Sequence, residues 1–227
     1  MRKGKGLEAK VASKRSNMRL AKFVVTGTTS LLQENFSTRK LNDIKEKQEK
    51  GSTEKTKRKR EPRNFSLECR EALHTSEDGW HGIPASAFRD AAIACCRLTG
   101  FKMTHAKMSL FVLADGYEAE TGIPLVKINK GKWRETIMRT RNSTGVMDLR
   151  ARPMWREWGC DLLIRYDADQ FTLEDVTDLM ERAGQQNGMG GGRHNSRQSN
   201  GLGFGCFTIK DPKEYKKQIE RERKETA

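Results

Sequence analysis

The sequence predicts an α+β fold with a ferredoxin-like (βαββαβ, RRM-like) core, on three observations. WREWGCDLLIRYD (155–167) alternates apolar and polar residues with the period of a strand. FRDAAIACCRL (88–98) and LEDVTDLMERA (173–183) instead repeat their apolar residues with the period of a helix. In chain order from residue 21 the signals run strand, helix, strand, strand, helix, strand, which is the βαββαβ succession.

Residues 1–20 are basic and read as an N-terminal extension; AKFVVTGTTSLL (21–32) then has the β-branched density of a strand ending near Gly27. Residues 37–63 form a charged, low-complexity insertion with too little apolar surface to order itself. Within it Lys57, Arg58, Lys59 and Arg60 read as a localisation patch, a phosphate-binding arm or a solvated run. Ile83-Pro84 opens a helix with proline at its first position and Gly100 closes it, with Phe88, Ala91, Ala92, Cys95 and Cys96 on one buried face.

KMSLFVL (107–113) reads as a buried strand, and turn signals in ADGYEAETGIPLVKIN lead to another short extended piece. KGKWRETIMRTRNSTGVMDLRARP (130–153) is a long basic excursion, of the kind that is usually functional or disordered. In the strand that follows, Trp158, Cys160, Leu162, Ile164 and Tyr166 share one face, with Glu157, Asp161 and Arg165 on the other. Thr172 caps the second helix with Asp175, and Leu173, Val176, Met180 and Ala183 form its buried stripe until Gly184 stops it. A Gly-rich loop precedes a final strand, GFGCFTI (203–209), and residues 210–227 read as a polar helix started by Asp211, Pro212 and Glu214.

The chain has 227 residues, with 44 Lys plus Arg against 30 Asp plus Glu and a formal charge of +14. That balance favours a polyanionic partner over a merely solvated surface, because the cations gather in loops rich in Gly and Asn. Five cysteines without a CxxC pair indicate neither a disulfide framework nor a zinc site, and are expected to be reduced and buried. No apolar run reaches membrane-spanning length and the N-terminus lacks an apolar signal core, so the expectation is a soluble, cytoplasmic protein without a membrane partner.

The Gly-rich loop fits neither phosphate-binding template: no Gly-Lys-Ser/Thr follows, and GxGxxG after a strand is absent. It is expected to be a mobile backbone that brings Arg193, His194 and Arg197 to phosphates, or else a plain connector. Gly203-Phe204-Gly205 superficially matches the aromatic platform of RNA-recognition motifs, but Leu202 and Cys206 break the pattern, so Phe204 and Phe207 read as core. The histidines share no spacing that suggests a triad or metal site; His194 and His81 are the candidates for a general base if the chain cleaves RNA. No catalytic residue, metal or cofactor is assigned.

FVVTGTTSLLQENFS, EDGWHGIPASAFRDAAIACC and the Gly-rich run into GFGCF together resemble the RAMP superfamily over residues 21–209. Within it they are similar to the backbone subunit of CRISPR surveillance complexes and phage-encoded relatives. The resemblance implies a ferredoxin-like core with an inserted thumb-like element, protomers that polymerise along single-stranded RNA, and backbone contacts that ignore sequence. By position, residues 188–205 are then the Gly-rich loop and residues 127–152 the thumb-like excursion. There Lys127, Lys130, Lys132, Arg134, Arg139, Arg141, Arg150 and Arg152 supply charge, and Trp133 and Met138 wedge against bases or anchor the loop to the core.

The expected function is sequence-nonspecific binding of single-stranded nucleic acid, RNA preferred over single-stranded DNA, by a non-enzymatic homo-oligomer or filament, in a bacterial host cytoplasm if phage-encoded. The alternatives are a metal-independent endoribonuclease of the same fold, or a structural or assembly protein that tolerates nucleic acid.

Overall fold

The alternating run after Trp158 forms β9 (Gly159–Asp167), the strand on which the largest sheet is built. In the computed structural model of the chain, residues 15–36, 38–49, 62–141, 146–195 and 201–211 are described. Trp158, Cys160, Leu162, Ile164 and Tyr166 are each at most 4% exposed, while Glu157, Asp161 and Arg165 face solvent, as their period requires. Removing side chains of this size from water stabilises by about 1.5–3 kcal/mol each.

β1 (Met18–Gly27) runs antiparallel to β9 along its whole length, and β10 (Phe207–Lys210) pairs with the outer edge of β1. β1 begins three residues earlier than the sequence suggests, because Met18, Arg19 and Leu20 extend the ladder while staying exposed. On the other side of β9, β4 (Leu110–Leu113) pairs with residues 163–166 and β6 (Pro124–Lys130) with residues 159–160. β6 also carries β3 (Gly82–Pro84) and β5 (Gly116–Tyr117). A second sheet has the order β2 (Leu31–Leu32), β8 (Met147–Trp155), β7 (Trp133–Arg141). All pairings are antiparallel, so the chain is α+β.

α3 (Ala85–Thr99) and α5 (Leu173–Arg182) lie against each other and against the apolar sheet face presented by Ala21, Phe23 and Val25. Phe207 centres that core, with ring centroids 5.8 Å from Phe88 and 6.0 Å from Trp158 in edge-to-face geometry. All five cysteines are free and buried, and burial pushes the thiols of Cys69, Cys95, Cys96 and Cys160 up.

Several local expectations are corrected. Residues of the 37–63 insertion form α1 (Thr38–Glu49), whose Lys, Glu and Gln are good helix formers, with Lys45 and Glu49 paired at 3.9 Å one turn apart. Leu41 and Ile44 stay exposed, so propensity rather than burial forms this helix. α2 (Phe65–Glu71) follows, capped by the Asn64 side chain. Pro84 ends β3 and stands at the N-cap of α3, one residue before the first helical position.

Lys107, Met108 and Ser109 belong to α4 (Met103–Ser109) and only Leu110 onward is strand, since seven residues are too few for period to separate the two states. Leu173 is 53% exposed and Leu179 takes its place in the stripe of α5. Gly184 does not stop the chain's helical path, which continues as a π turn (Ala183–Asn187): the glycine lets the turn lie against the Phe207 carbonyl, where a Cβ would overlap. In GFGCFTI only Phe207 onward is strand, Gly203–Cys206 being turn and coil. The polar helix expected over 210–227 lies outside the described residues beyond Asp211.

Candidate nucleic-acid interface

The basic excursion 130–153 is a regular hairpin. Nine consecutive antiparallel pairs run from Trp133↔Trp155 to Arg141↔Met147. Strand alternation divides its side chains between two faces, Arg134, Met138 and Arg150 on one, Trp133, Ile137, Arg139 and Leu149 on the other. On the second face Trp155 at the root and Ala151 midway are buried, whereas Ile137 opposite Ala151, and Leu149 and Met147 nearer the tip, are exposed.

Lys127, Lys130, Lys132, Arg134, Arg139 and Arg150 are all exposed on β6 and the hairpin. Lys127 Nζ lies 5.7 Å from the Trp80 ring centroid, and Arg150 pairs with Asp148 at 3.6 Å. The hairpin's own acids are drawn towards α2: Ser66 Oγ donates to Glu135 at 2.9 Å, and Arg63 bonds Asp148 at 2.9 Å and Glu68 at 2.7 Å. Against a desolvation that would raise it, Arg63 and Arg150 hold the Asp148 carboxyl below its ordinary value. Among the described residues, Lys130, Lys132, Arg134 and Arg139 therefore have no carboxylate at ion-pair distance.

Two hairpin residues are placed differently from the expectation. Trp133 packs on the core edge-on to His81, with centroids 6.4 Å apart, so it anchors the hairpin rather than presenting a free ring. Arg152 is only 6% exposed; its Nη1 donates to the Ala151 carbonyl at 2.9 Å and its Nε lies 3.5 Å from a Glu34 carboxylate oxygen. It is a buried partner of Glu34, not a surface contact. Met138 is half-buried, and the side chain of Arg141 lies outside the described residues.

The described parts of the Gly-rich loop, residues 188–195 and 201–205, are packed, in contrast to the mobile backbone expected of them. Gly191 N–H donates to the Leu32 carbonyl at 2.9 Å, Met189 N–H to Gly205 at 3.0 Å, and Gly205 N–H to Ser30 at 2.8 Å. Cys206 N–H donates to Thr29 Oγ1 at 2.9 Å. Met189, 1% exposed, is the loop's anchor in the core. Gly205 (φ 71°) is needed on two counts, its left-handed backbone and the contact with the Met189 carbonyl that a Cβ would overlap. Arg193 is half-buried with Nη1 donating to the Gly190 carbonyl at 3.1 Å, His194 is exposed, and Arg197 lies outside the described residues.

Between this loop, residues 31–34 and the start of α3 lies a cleft of about 400 Å³. Its walls include Leu31, Pro84 and Met189, and its charged and polar lining includes Glu34, Asp90, His74, Asn187 and Arg193. Asn187 is 7% exposed, and its Oδ1 is buried without a hydrogen-bond partner among the described residues. Such an acceptor costs about 1–3 kcal/mol until it finds a donor. His74 is held from behind: Nδ1 lies 2.8 Å from Glu118 Oε1, which also accepts from Asn35 Nδ2 at 2.8 Å. Of the residues expected to make contact, the cleft takes in Arg193 alone. Asn187, His74 and Glu118 had no signal in the sequence, since their positions converge only through β2, the 72–82 loop and the π turn.

Among the described residues, His74 is the imidazole paired with a carboxylate; His81 and His194 are not. His81 lies near Trp133 and Trp155, and burial lowers its pKa from the ordinary 6.5. The unfolded chain therefore binds the proton more readily, so the contribution to stability is full above that value and is lost as pH falls through the folded-state pKa. The melting temperature should drop between about pH 7 and pH 5. His81→Phe, which keeps a ring beside both tryptophans but loses the 3.1 Å contact to Thr75 Oγ1, should flatten that drop; an unchanged acid limb would remove His81 as its source. No group of three or more metal-binding side chains occurs among the described residues, and no helix among them is long and apolar enough to cross a membrane. Compared with protein-family models and with curated proteins, the chain matches none.

Proposed function

We propose that this chain is a non-catalytic protein that binds single-stranded nucleic acid, RNA preferred, and coats it as a homo-oligomer. The observation that carries the reading is the hairpin: a regular two-stranded element whose cations are turned to solvent while its acids are drawn to α2. A polyphosphate laid along it neutralises those cations with release of counterions, which favours binding irrespective of sequence.

The strand order β10-β1-β9-β4, with α3 and α5 as the two crossovers, supports a ferredoxin-like interpretation of the core. On that interpretation β7 and β8 are the thumb-like insertion between β4 and β9, the second and third core strands in chain order. The resemblance to RAMP backbone subunits belongs to the same proposal.

The test is fluorescence anisotropy with labelled single-stranded RNA, single-stranded DNA and duplex of equal length at several salt concentrations. Tight, cooperative binding to single strands, strongest for RNA and falling by about 0.7 in log K per log salt for each phosphate engaged, is expected. Binding that ignores strandedness would defeat the proposal. Running the same samples on a gel reads cleavage; intact strands are expected, and scission removed by His74→Ala would favour the endoribonuclease instead.

A further inference from the structure

Val126 and Ile128 of β6 belong to the core cluster, so strand alternation puts Leu125 and Lys127 on the outer face of that strand. Trp80 lies on this outer face. Its indole crosses Gly82 and Gly116, the residues paired with Lys127 and Leu125: a Cβ at Gly82 would stand 2.9 Å from Trp80 Cζ3, and one at Gly116 2.7 Å from Cζ2. Two positions without a side chain thus seat the ring against the strands. The backbone is fixed as well, since Trp80 N–H donates to Ser76 Oγ at 3.2 Å and the Trp80 carbonyl accepts from Ser76 N–H at 2.8 Å. The residue is half-buried, and its indole N–H has no acceptor among the described residues, although a tryptophan buried for packing usually finds one. Trp155 and Trp158 are at most 4% exposed and Trp133 packs on the core, which leaves Trp80 as the indole placed outside it. Charge continues from this ring towards the hairpin: Lys127 Nζ stands 5.7 Å from its centroid, and the exposed Lys130 and Lys132 follow in the chain. Exposed Glu77 and Asp78 lie in the turn before the ring, so phosphates are favoured on the β6 side.

We propose that Trp80 stacks on one base of a bound single strand whose phosphates run along β6, from Lys127 towards Lys130 and Lys132. This rests on the strand-binding reading and adds to it an aromatic contact outside the hairpin, whose exposed groups supply charge. Stacking uses the flat face that every base has, so the contact holds a strand without reading its sequence. A paired base has no free face, so the same ring favours single strands over duplex.

The experiment measures anisotropy with two labelled strands of equal length at one salt concentration, an RNA and an abasic RNA backbone that keeps the phosphates but has no bases. Trp80→Leu, which keeps an apolar side chain on the strands without a stacking face, should bind the RNA about tenfold more weakly and the abasic strand as the wild type does. Trp80→Phe, which keeps a ring, should retain most of the affinity. Because the leucine variant can fail to fold, tryptophan emission is read in parallel: RNA should quench it in the wild type, the abasic strand should not, and Trp80→Phe should lose the quenching while still binding. Full affinity in Trp80→Leu, an equal loss on both strands, or quenching that survives Trp80→Phe would overturn the stacking site while leaving strand binding intact. Absence of binding to either strand would overturn the strand-binding reading itself and the stacking site with it.

Discussion

Gly205→Ala should lower the melting temperature by far more than Gly201→Ala. Both glycines have left-handed backbones, φ 71° and 63°, so both substitutions carry the conformational cost of about 1 kcal/mol or more. A Cβ at Gly201 meets nothing within 4 Å, whereas at Gly205 it overlaps the Met189 carbonyl and amide. Relief requires moving Met189, which is 1% exposed, and breaking the Met189 to Gly205 and Gly205 to Ser30 hydrogen bonds that seat the loop. The expected loss is about 3 kcal/mol or more at Gly205, or roughly 6–12 °C for a chain of this size. Thermal unfolding of the two variants side by side checks it. If they melt together, the loop is not held as tightly as its hydrogen bonds state, and the cleft it walls would lose its preformed shape.

Lys132→Glu, Arg134→Glu and Arg139→Glu combined should reduce affinity for single-stranded RNA at least about a hundredfold and leave folding intact. The three side chains are exposed, with no carboxylate at ion-pair distance among the described residues, so each exchange should alter stability by no more than about 0.5 kcal/mol. If each engages one phosphate, the slope of log K against log salt should fall by about 2. Anisotropy across a salt series together with a melting curve separates the outcomes. Unchanged affinity in a folded variant would remove the hairpin from the interface. Arg152→Met supplies the contrast: the side chain is buried against Glu34, so its loss should show in stability rather than in the salt slope.

The two faces of β9, the capping box of Thr172 and Asp175, the closure of α3 at Gly100 and the five buried cysteines were all legible in the sequence. Each is a local property: a strand's period, a cap three residues from its partner, a glycine just past a helix. The errors are also local in origin. Lys107, Met108 and Ser109 precede Leu110 in a window too short to tell strand from helix, and Leu173 satisfies the helical period although α5 turns it to solvent. The acids and cations of residues 38–49 suggested a chain without order, yet the same residues have high helix propensity.

Of the candidate interface, the sequence by itself determined the charge: six exposed cations fall where composition and position placed them, on β6 and the hairpin. Tertiary structure decided which groups are available. It turned Trp133 and Arg152 inward, drew Glu135 and Asp148 to α2, and packed the Gly-rich loop against residues 28–33. It also made the cleft, whose walls come from residues 31–34, 74, 83–94 and 187–195. Period and propensity act over a few residues along the chain, whereas burial, ion pairing and a cavity depend on segments from 69 residues apart, as Ser66 and Glu135, to more than a hundred, as Leu32 and Gly191, which only the folded chain brings together.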